Sequence, residues 1–376
     1  FASRDQWLIE LRRKAKLRQS MKTFLPCSDA GWHQKVEELA GRGFTMRALL
    51  GFYKRLGTAE VMPHYDSTRS TTLDVVRQAI IPLSSEAKSS LASVLMEGKA
   101  VRPQMMVTHN WGNLFRDLVA CIIADALGED EYYMAAYWLD HEMDLVEEWL
   151  STAGAMDNTY WVCAFSIAQH AGICGGNPAC ERDSVTGQLH PVCDCGQPKC
   201  FNTTEPLSAD GQSISCEMNK FDNMLEFLGA SNKRFRHVIA VDRKFTLFSR
   251  AWCVAEIAKA FDFGIEQHLL LPSAALLTEH EASLLDLRVE DMKATRPEDA
   301  QAILAKIPDK AAFNQQLQHL IHDRLLVTWK SLDEGQRLQR AGRIARLQLA
   351  CQQRKVGLAP WYAGFSSTGG ESEYAL

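Results

Sequence analysis

The chain has 376 residues, of which 46% are hydrophobic and 23% charged, with a net charge of −5. That length and balance suit a globular protein of two or three structural units whose cores need no disulfide or metal staple overall. Charges of both signs are spread along it, so nothing argues globally for nucleic acid or an anionic membrane as partner, and no apolar run reaches the roughly 18 residues of a membrane span.

The first hundred residues read as helical. Apolar residues at helical spacing mark stretches over 7–17, 32–39 and 45–56, with breaks at Gly41 and Gly43. The first segment of the chain carries Arg4, Arg12, Arg13, Lys14, Lys16, Arg18 and Lys22 against Asp5 and Glu10, a solvated helix face or a basic arm. Thr71 with Asp74 three residues on approximates a capping box for a helix over 72–81, which Pro82 is expected to stop. Another helix is expected over 85–96.

At Pro103 the pattern changes. Met105 to His109 is a short apolar run, followed by a helix over 114–127 that Gly128 ends and by a helix over 131–150 rich in aromatics. A strand follows over 160–165, then a cysteine-rich stretch, a helix over 217–228, a strand over 238–241, a helix over 249–261 and a strand over 268–271. Short continuous apolar strands alternating with helices imply an α/β fold with a parallel sheet of about four to five strands covered on both faces. Ligands of such sheets bind beyond the carboxyl ends of the strands, here Asn110 and Trp111, Phe165 and Ser166, and Asp242 and Arg243. A helix begins at Ser273 and three more follow: from Pro297, from Asp309, and over 331–354. The expected organisation is a helical region over 1–102, an α/β domain over 103–290, C-terminal helices over 291–358, and a tail over 359–376 whose composition is that of a disordered segment.

Six of the 11 cysteines fall between Cys174 and Cys216, inside an insertion spanning 170–216. Such a local cluster differs from a secreted disulfide framework and favours a metal site in a reducing compartment. The chain opens on Phe1, so a removed targeting peptide would be invisible. Thiolates and imidazole at this density suit tetrahedral zinc in a structural role. His190, Cys193, Cys195 and Cys216 are the first-choice ligands, with Cys174 next and His170 just ahead of the cluster. Two disulfides or free thiols are the alternatives.

The strand over 238–241 runs through Asp242-Arg243-Lys244-Phe245 into a helix carrying Ser249 and Trp252-Cys253-Val254-Ala255-Glu256. This resembles the late strand and helix of TIR domains. The likeness extends to TIR-like proteins of protists, dinoflagellates especially, through His109-Asn110-Trp111-Gly112, Phe115, Asp117-Leu118-Val119, Tyr160-Trp161-Val162, Phe165-Ser166 and Gln169-His170. Arg296-Pro297-Glu298-Asp299 and Ile307-Pro308-Asp309 belong to the same likeness. The resemblance implies a TIR/flavodoxin-like sheet. It also implies NAD(+) glycohydrolase chemistry, with Glu256 stabilising the oxocarbenium-like ribose left by departing nicotinamide and with Asn110, Trp111 and Phe165 at the nucleotide. The alternative is a non-enzymatic assembly protein, which makes partner or self contacts through the terminal helices over 7–17 and 331–354.

Overall fold

The segments 105–109, 159–162 and 236–240 gather into one sheet because each is short, carries β-branched or aromatic residues and is mostly buried, with the more polar segment 266–270 at the edge. The computed structural model describes residues 30–321, apart from short stretches between 274 and 308. These belong to the first of two units of the chain, which runs to Val327. The helices expected over 7–17 and 331–354 and the tail lie outside the described residues.

Helix α1 (Ala30–Ala40) leads through Gly43 to strand β1 (Phe44–Thr45). A side chain at Gly43 would lie 2.7 Å from the Val101 carbonyl, which is why the chain can pass only as glycine. Helix α2 (Met46–Arg55) follows, capped by Thr45 on the Ala48 amide. Helix α3 (Thr72–Val75) opens with the expected capping box between Thr71 and Asp74. Pro82 does not stop it. The helix widens into a π turn over Val76–Ile80, with the Ile81 amide bonded to the Val76 carbonyl, and resumes as α4 (Ile81–Ser84). A proline lacks the N–H for the carbonyl four residues back and crowds it, and a wider turn absorbs both faults. The helix expected over 85–96 shrinks to α5 (Leu91–Leu95), capped by Ser90.

Strand β2 (Met105–His109) is buried at every position and feeds α6 (Phe115–Ala126). The single aromatic helix expected over 131–150 is two, α7 (Tyr133–His141) and α8 (Met143–Thr152), broken at Glu142. Strand β3 (Thr159–Val162) is shorter than expected, because Cys163–Ser166 turns into a helical segment, α9. After the insertion come α10 (Phe221–Ser231), β4 (Arg236–Ala240), α11 (Ala251–Asp262), β5 (Glu266–Leu270), α12 (Pro297–Ala305) and α13 (Lys310–Ile321).

The sheet order is β1-β3-β2-β4-β5, with β1 antiparallel to β3 and the remaining pairs parallel. The four parallel strands thus lie in the order second, first, third, fourth, the flavodoxin-like arrangement, whose direction of progression reverses at β2. The N-terminal region supplies an edge strand as well as helices. One face of the sheet is closed by α1, α10 and α11 through Leu39, Met106, Trp161, Phe221, Met224 and Ala260. An aromatic core joins the N-terminal helices to the sheet: Phe165 lies 4.9 Å from Phe44 and 5.2 Å from Phe52, ring centre to ring centre. Among the described residues, no helix is long and apolar enough to cross a membrane.

Candidate functional site

The insertion brings four metal-ligand side chains together: His170, Cys174, Cys193 and Cys195, with all ligand atoms within 4.8 Å of one another. A 3-10 turn over Gln169–Ala171 carries His170, and the Gln169 carbonyl accepts the Ile173 and Cys174 amides, so the chain folds back with both side chains on one side. The Cys193 amide bonds to the Cys174 carbonyl at 2.7 Å, which registers the Cys193-Asp194-Cys195 arm against it. Gly196 then turns the chain away in the left-handed region, with φ of 69°.

Three of the six separations within this group match those of a tetrahedral centre, and the remaining three are no longer than 4.8 Å. Cys174 Sγ and Cys195 Sγ are 3.8 Å apart, and His170 Nδ1 is 3.5 Å from Cys195 Sγ and 3.8 Å from Cys193 Sγ. Ligands on zinc, with Zn–S near 2.3 Å and Zn–N near 2.0 Å, stand about 3.8 Å apart sulfur to sulfur and about 3.5 Å sulfur to nitrogen. A disulfide would draw two sulfurs to about 2.05 Å, and all nine described cysteines are free. Burial, then the neighbouring Lys199 charge, holds the His170 pKa below its ordinary value, which favours the neutral ring that a metal requires. The Gln197 amide lowers the Cys195 thiol, whereas burial raises that of Cys174. Lys199 Nζ donates to Cys174 Sγ at 3.0 Å and to the His170 carbonyl at 2.6 Å, placing a cation beside the thiol group.

Three of the five residues expected as ligands are in this group, and two are not. His190 turns the other way along the 182–190 hairpin: its amide bonds to the Glu181 carbonyl, and its buried ring sets Nε2 3.1 Å from Asp74 Oδ1, an ion-pair distance off the direction of a hydrogen bond. Cys216 is buried at the far end of the insertion, its amide on Ser213 Oγ and its carbonyl accepting from Lys220 Nζ. His170 takes the place assigned to His190. Its sequence signal was the His170-x3-Cys174 spacing, which puts both residues one helical turn apart before the first Gly-Gly.

The insertion is tied to the rest of the unit at both ends. Arg77, in the π turn, donates to the Ile173 and Gly176 carbonyls at 2.8 and 2.9 Å. Arg42 pairs with Glu217 at 2.8 Å, and Glu217 accepts the Ala168 amide.

The second candidate lies at the carboxyl end of β2. Glu256, 8% exposed, projects from the second turn of α11 onto the sheet and accepts a hydrogen bond from Thr108 Oγ1. Burial lifts its carboxyl to about 7, against the opposing hydrogen bond from Thr108. Thr108 Oγ1 is also 2.7 Å from His237 Nε2, and Gln267 Nε2 is 3.2 Å from His237 Nδ1. Since the Gln267 amide can only donate, His237 bears its proton on Nε2, and the polar chain runs Gln267 to His237 to Thr108 to Glu256. Burial keeps His237 neutral by pushing it down to about 3.

The nucleotide contacts implied by resemblance fare unevenly. Trp111 is partly exposed at the strand end, its indole N–H on Cys163 Sγ at 3.3 Å, and burial together with the Glu256 charge lifts the Cys163 thiol to about 12. Asn110 spends its side chain internally, donating to Thr246 Oγ1 at 2.8 Å and accepting the Gly112 amide at 3.0 Å. Phe165 is a correction: α9 turns it away from the strand end into the aromatic core, where it is fully buried. The N-terminus of α6 is also covered, since the Phe115 amide bonds to the Ser70 carbonyl and the Leu73 amide to the Trp111 carbonyl. An anion at that helix end would meet the buried Asp117 carboxylate, already paired with Arg116 and Arg243.

Comparison with known protein families, curated proteins and solved structures finds no match to this chain.

Proposed function

We propose that the protein is a zinc-binding, TIR-like α/β protein in which His170, Cys174, Cys193 and Cys195 hold one structural Zn2+. The observation that carries this is the gathering of four ligand atoms within 4.8 Å of one another, three of whose separations, at 3.5–3.8 Å, match a tetrahedron around zinc. Four protein ligands leave no open position for water, so the ion pins the insertion rather than activating a nucleophile. Metal analysis of the purified full chain tests it. About one equivalent of zinc is expected, lost in Cys193→Ser and His170→Ala and kept in Cys216→Ser. Zinc below about half an equivalent in the wild type sinks the reading.

A second reading concerns Glu256. Its carboxyl, lifted to about 7, sits beside β2, where the order of the sheet reverses and α/β folds place their ligands. NAD(+) is the substrate implied by the TIR-like motif, with Glu256 as the stabilising anion and Trp111 at the nucleotide. Nicotinamide release from NAD by the wild-type chain and none by Glu256→Gln is the expected result. If the wild type releases none, the assembly role becomes the better account, and light scattering of the full chain then tests self-association.

A further inference from the structure

The metal centre has a support that reaches it from outside the insertion. Ser84, the last residue of α4, is 1% exposed, and its Oγ lies 2.7 Å from the Ile80 carbonyl and 3.0 Å from His170 Nε2. A hydroxyl has one proton to give. A carbonyl can only accept, so the shorter contact to Ile80 takes that proton, and the hydroxyl oxygen is left to accept from Nε2–H. A neutral imidazole protonated on Nε2 carries its lone pair on Nδ1. Nδ1 is the atom that faces Cys195 Sγ and Cys193 Sγ at 3.5 and 3.8 Å.

We infer that Ser84 is the positioning residue of this centre: by accepting from Nε2 it fixes the His170 tautomer and orients Nδ1 toward the ion. The inference rests on the zinc reading above. It also gives the π turn a purpose. The extra residue that Pro82 forces into the helix rotates everything after it, and Ser84 is the first polar side chain beyond the proline. Arg77, within the same turn, holds the Ile173 and Gly176 carbonyls on either side of Cys174, so one irregular helix fixes both the backbone and the ring of the metal loop. Partners that orient a ligating histidine usually matter to affinity nearly as much as the ligand.

The test uses the full chain, Zn2+ and a chromophoric chelator as competitor, with wild type, Ser84→Ala, Ser84→Thr and His170→Ala. Ser84→Ala is expected to weaken zinc binding by about 10–100-fold, and Ser84→Thr, which keeps the hydroxyl, to restore it to within a few-fold of wild type. Long-range correlation spectra of 15N-histidine protein are expected to show the His170 proton on Nε2 in the zinc-loaded wild type. That measurement stands even if Ser84→Ala does not fold. A His170 proton on Nδ1, or wild-type affinity in Ser84→Ala alongside its loss in His170→Ala, overturns the role of Ser84 alone. A wild type that binds no zinc, or binds it unchanged after His170→Ala, overturns the zinc reading itself.

Discussion

Thr108 and Glu256 meet across the interface of β2 and α11, the threonine hydroxyl donating to Glu256 Oε2. The carboxyl is nonetheless lifted from 4.5 to about 7, because burial outweighs the hydrogen bond. Within that window the folded chain keeps a proton that the unfolded chain gives up. Stability therefore falls as pH rises from the unfolded value to the folded one, by on the order of 3 kcal/mol. Glu256→Gln removes the charge and keeps an acceptor for Thr108. The variant is expected to melt above wild type at pH 8, with the difference shrinking toward pH 4.5. A difference that does not change with pH would mean that Glu256 does not titrate in this range. If the chain cleaves NAD, nicotinamide release should climb with pH through about 7 as the carboxylate forms.

His268 behaves in the opposite sense. Burial works against its charge, but hydrogen bonds to Asp125 at 2.7 Å and Asp130 at 3.1 Å prevail and lift it to about 9. Asp125 is also gripped by Arg236, so β4, β5 and the end of α6 share one ion cluster. A raised histidine stabilises fully below its unfolded value of 6.5, and the contribution fades as pH rises through the folded value of about 9. His268→Gln is therefore expected to cost about 2–3 kcal/mol in urea unfolding at pH 6 and little above pH 10. An equal loss at both pH values would assign the effect to packing.

Most of the sheet was legible in the sequence because its strands are apolar runs bounded by turn residues. The expected segment 105–109 and β2 coincide, and Gly128 ends α6 with φ of 71°. What was missed depends on tertiary context. Phe165 continues the apolar run of β3, yet it turns inward because Phe44 and Phe52 of the N-terminal region and Phe115 of α6 offer it an aromatic core. Pro82 reads as a stop, and a π turn is an outcome that local propensity does not favour. Within the metal group, Cys174, Cys193 and Cys195 could be read from density of thiols alone. Choosing between His170 and His190 needed the hairpin that turns His190 toward Asp74.

If the four-residue cluster holds the proposed zinc, the ion should matter locally. Strands β2 to β5 pair directly with one another, whereas the 170–200 loop has little regular structure of its own. Treating the zinc-loaded chain with a strong chelator is expected to raise amide hydrogen exchange across residues 170–200 and to leave the strands protected. Exchange rising equally in β2 and β4 would show instead that the ion holds the whole unit together.

The far end of the insertion is held by a buried cation. Lys220 is fully buried, with Nζ 2.9 Å from the Ser213 carbonyl, 2.8 Å from the Cys216 carbonyl, 2.8 Å from Asn219 Oδ1 and 3.7 Å from the centre of the Trp32 ring. Carbonyl dipoles and a π face replace water around the ammonium, and they join α1 to the start of α10. Lys220→Met keeps the stem but leaves the Cys216 carbonyl without this donor, so a loss on the order of 3 kcal/mol is expected. Trp32→Leu keeps the hydrogen bonds and removes the aromatic face, which is worth about 2 kcal/mol to a desolvated cation, in addition to lost packing. The double variant should then lose less than the sum of the two, by about 1–2 kcal/mol, because neither change can remove the cation–π contact twice. Chemical unfolding of all four chains measures this. Additivity within about 0.5 kcal/mol would mean that Trp32 merely covers Lys220.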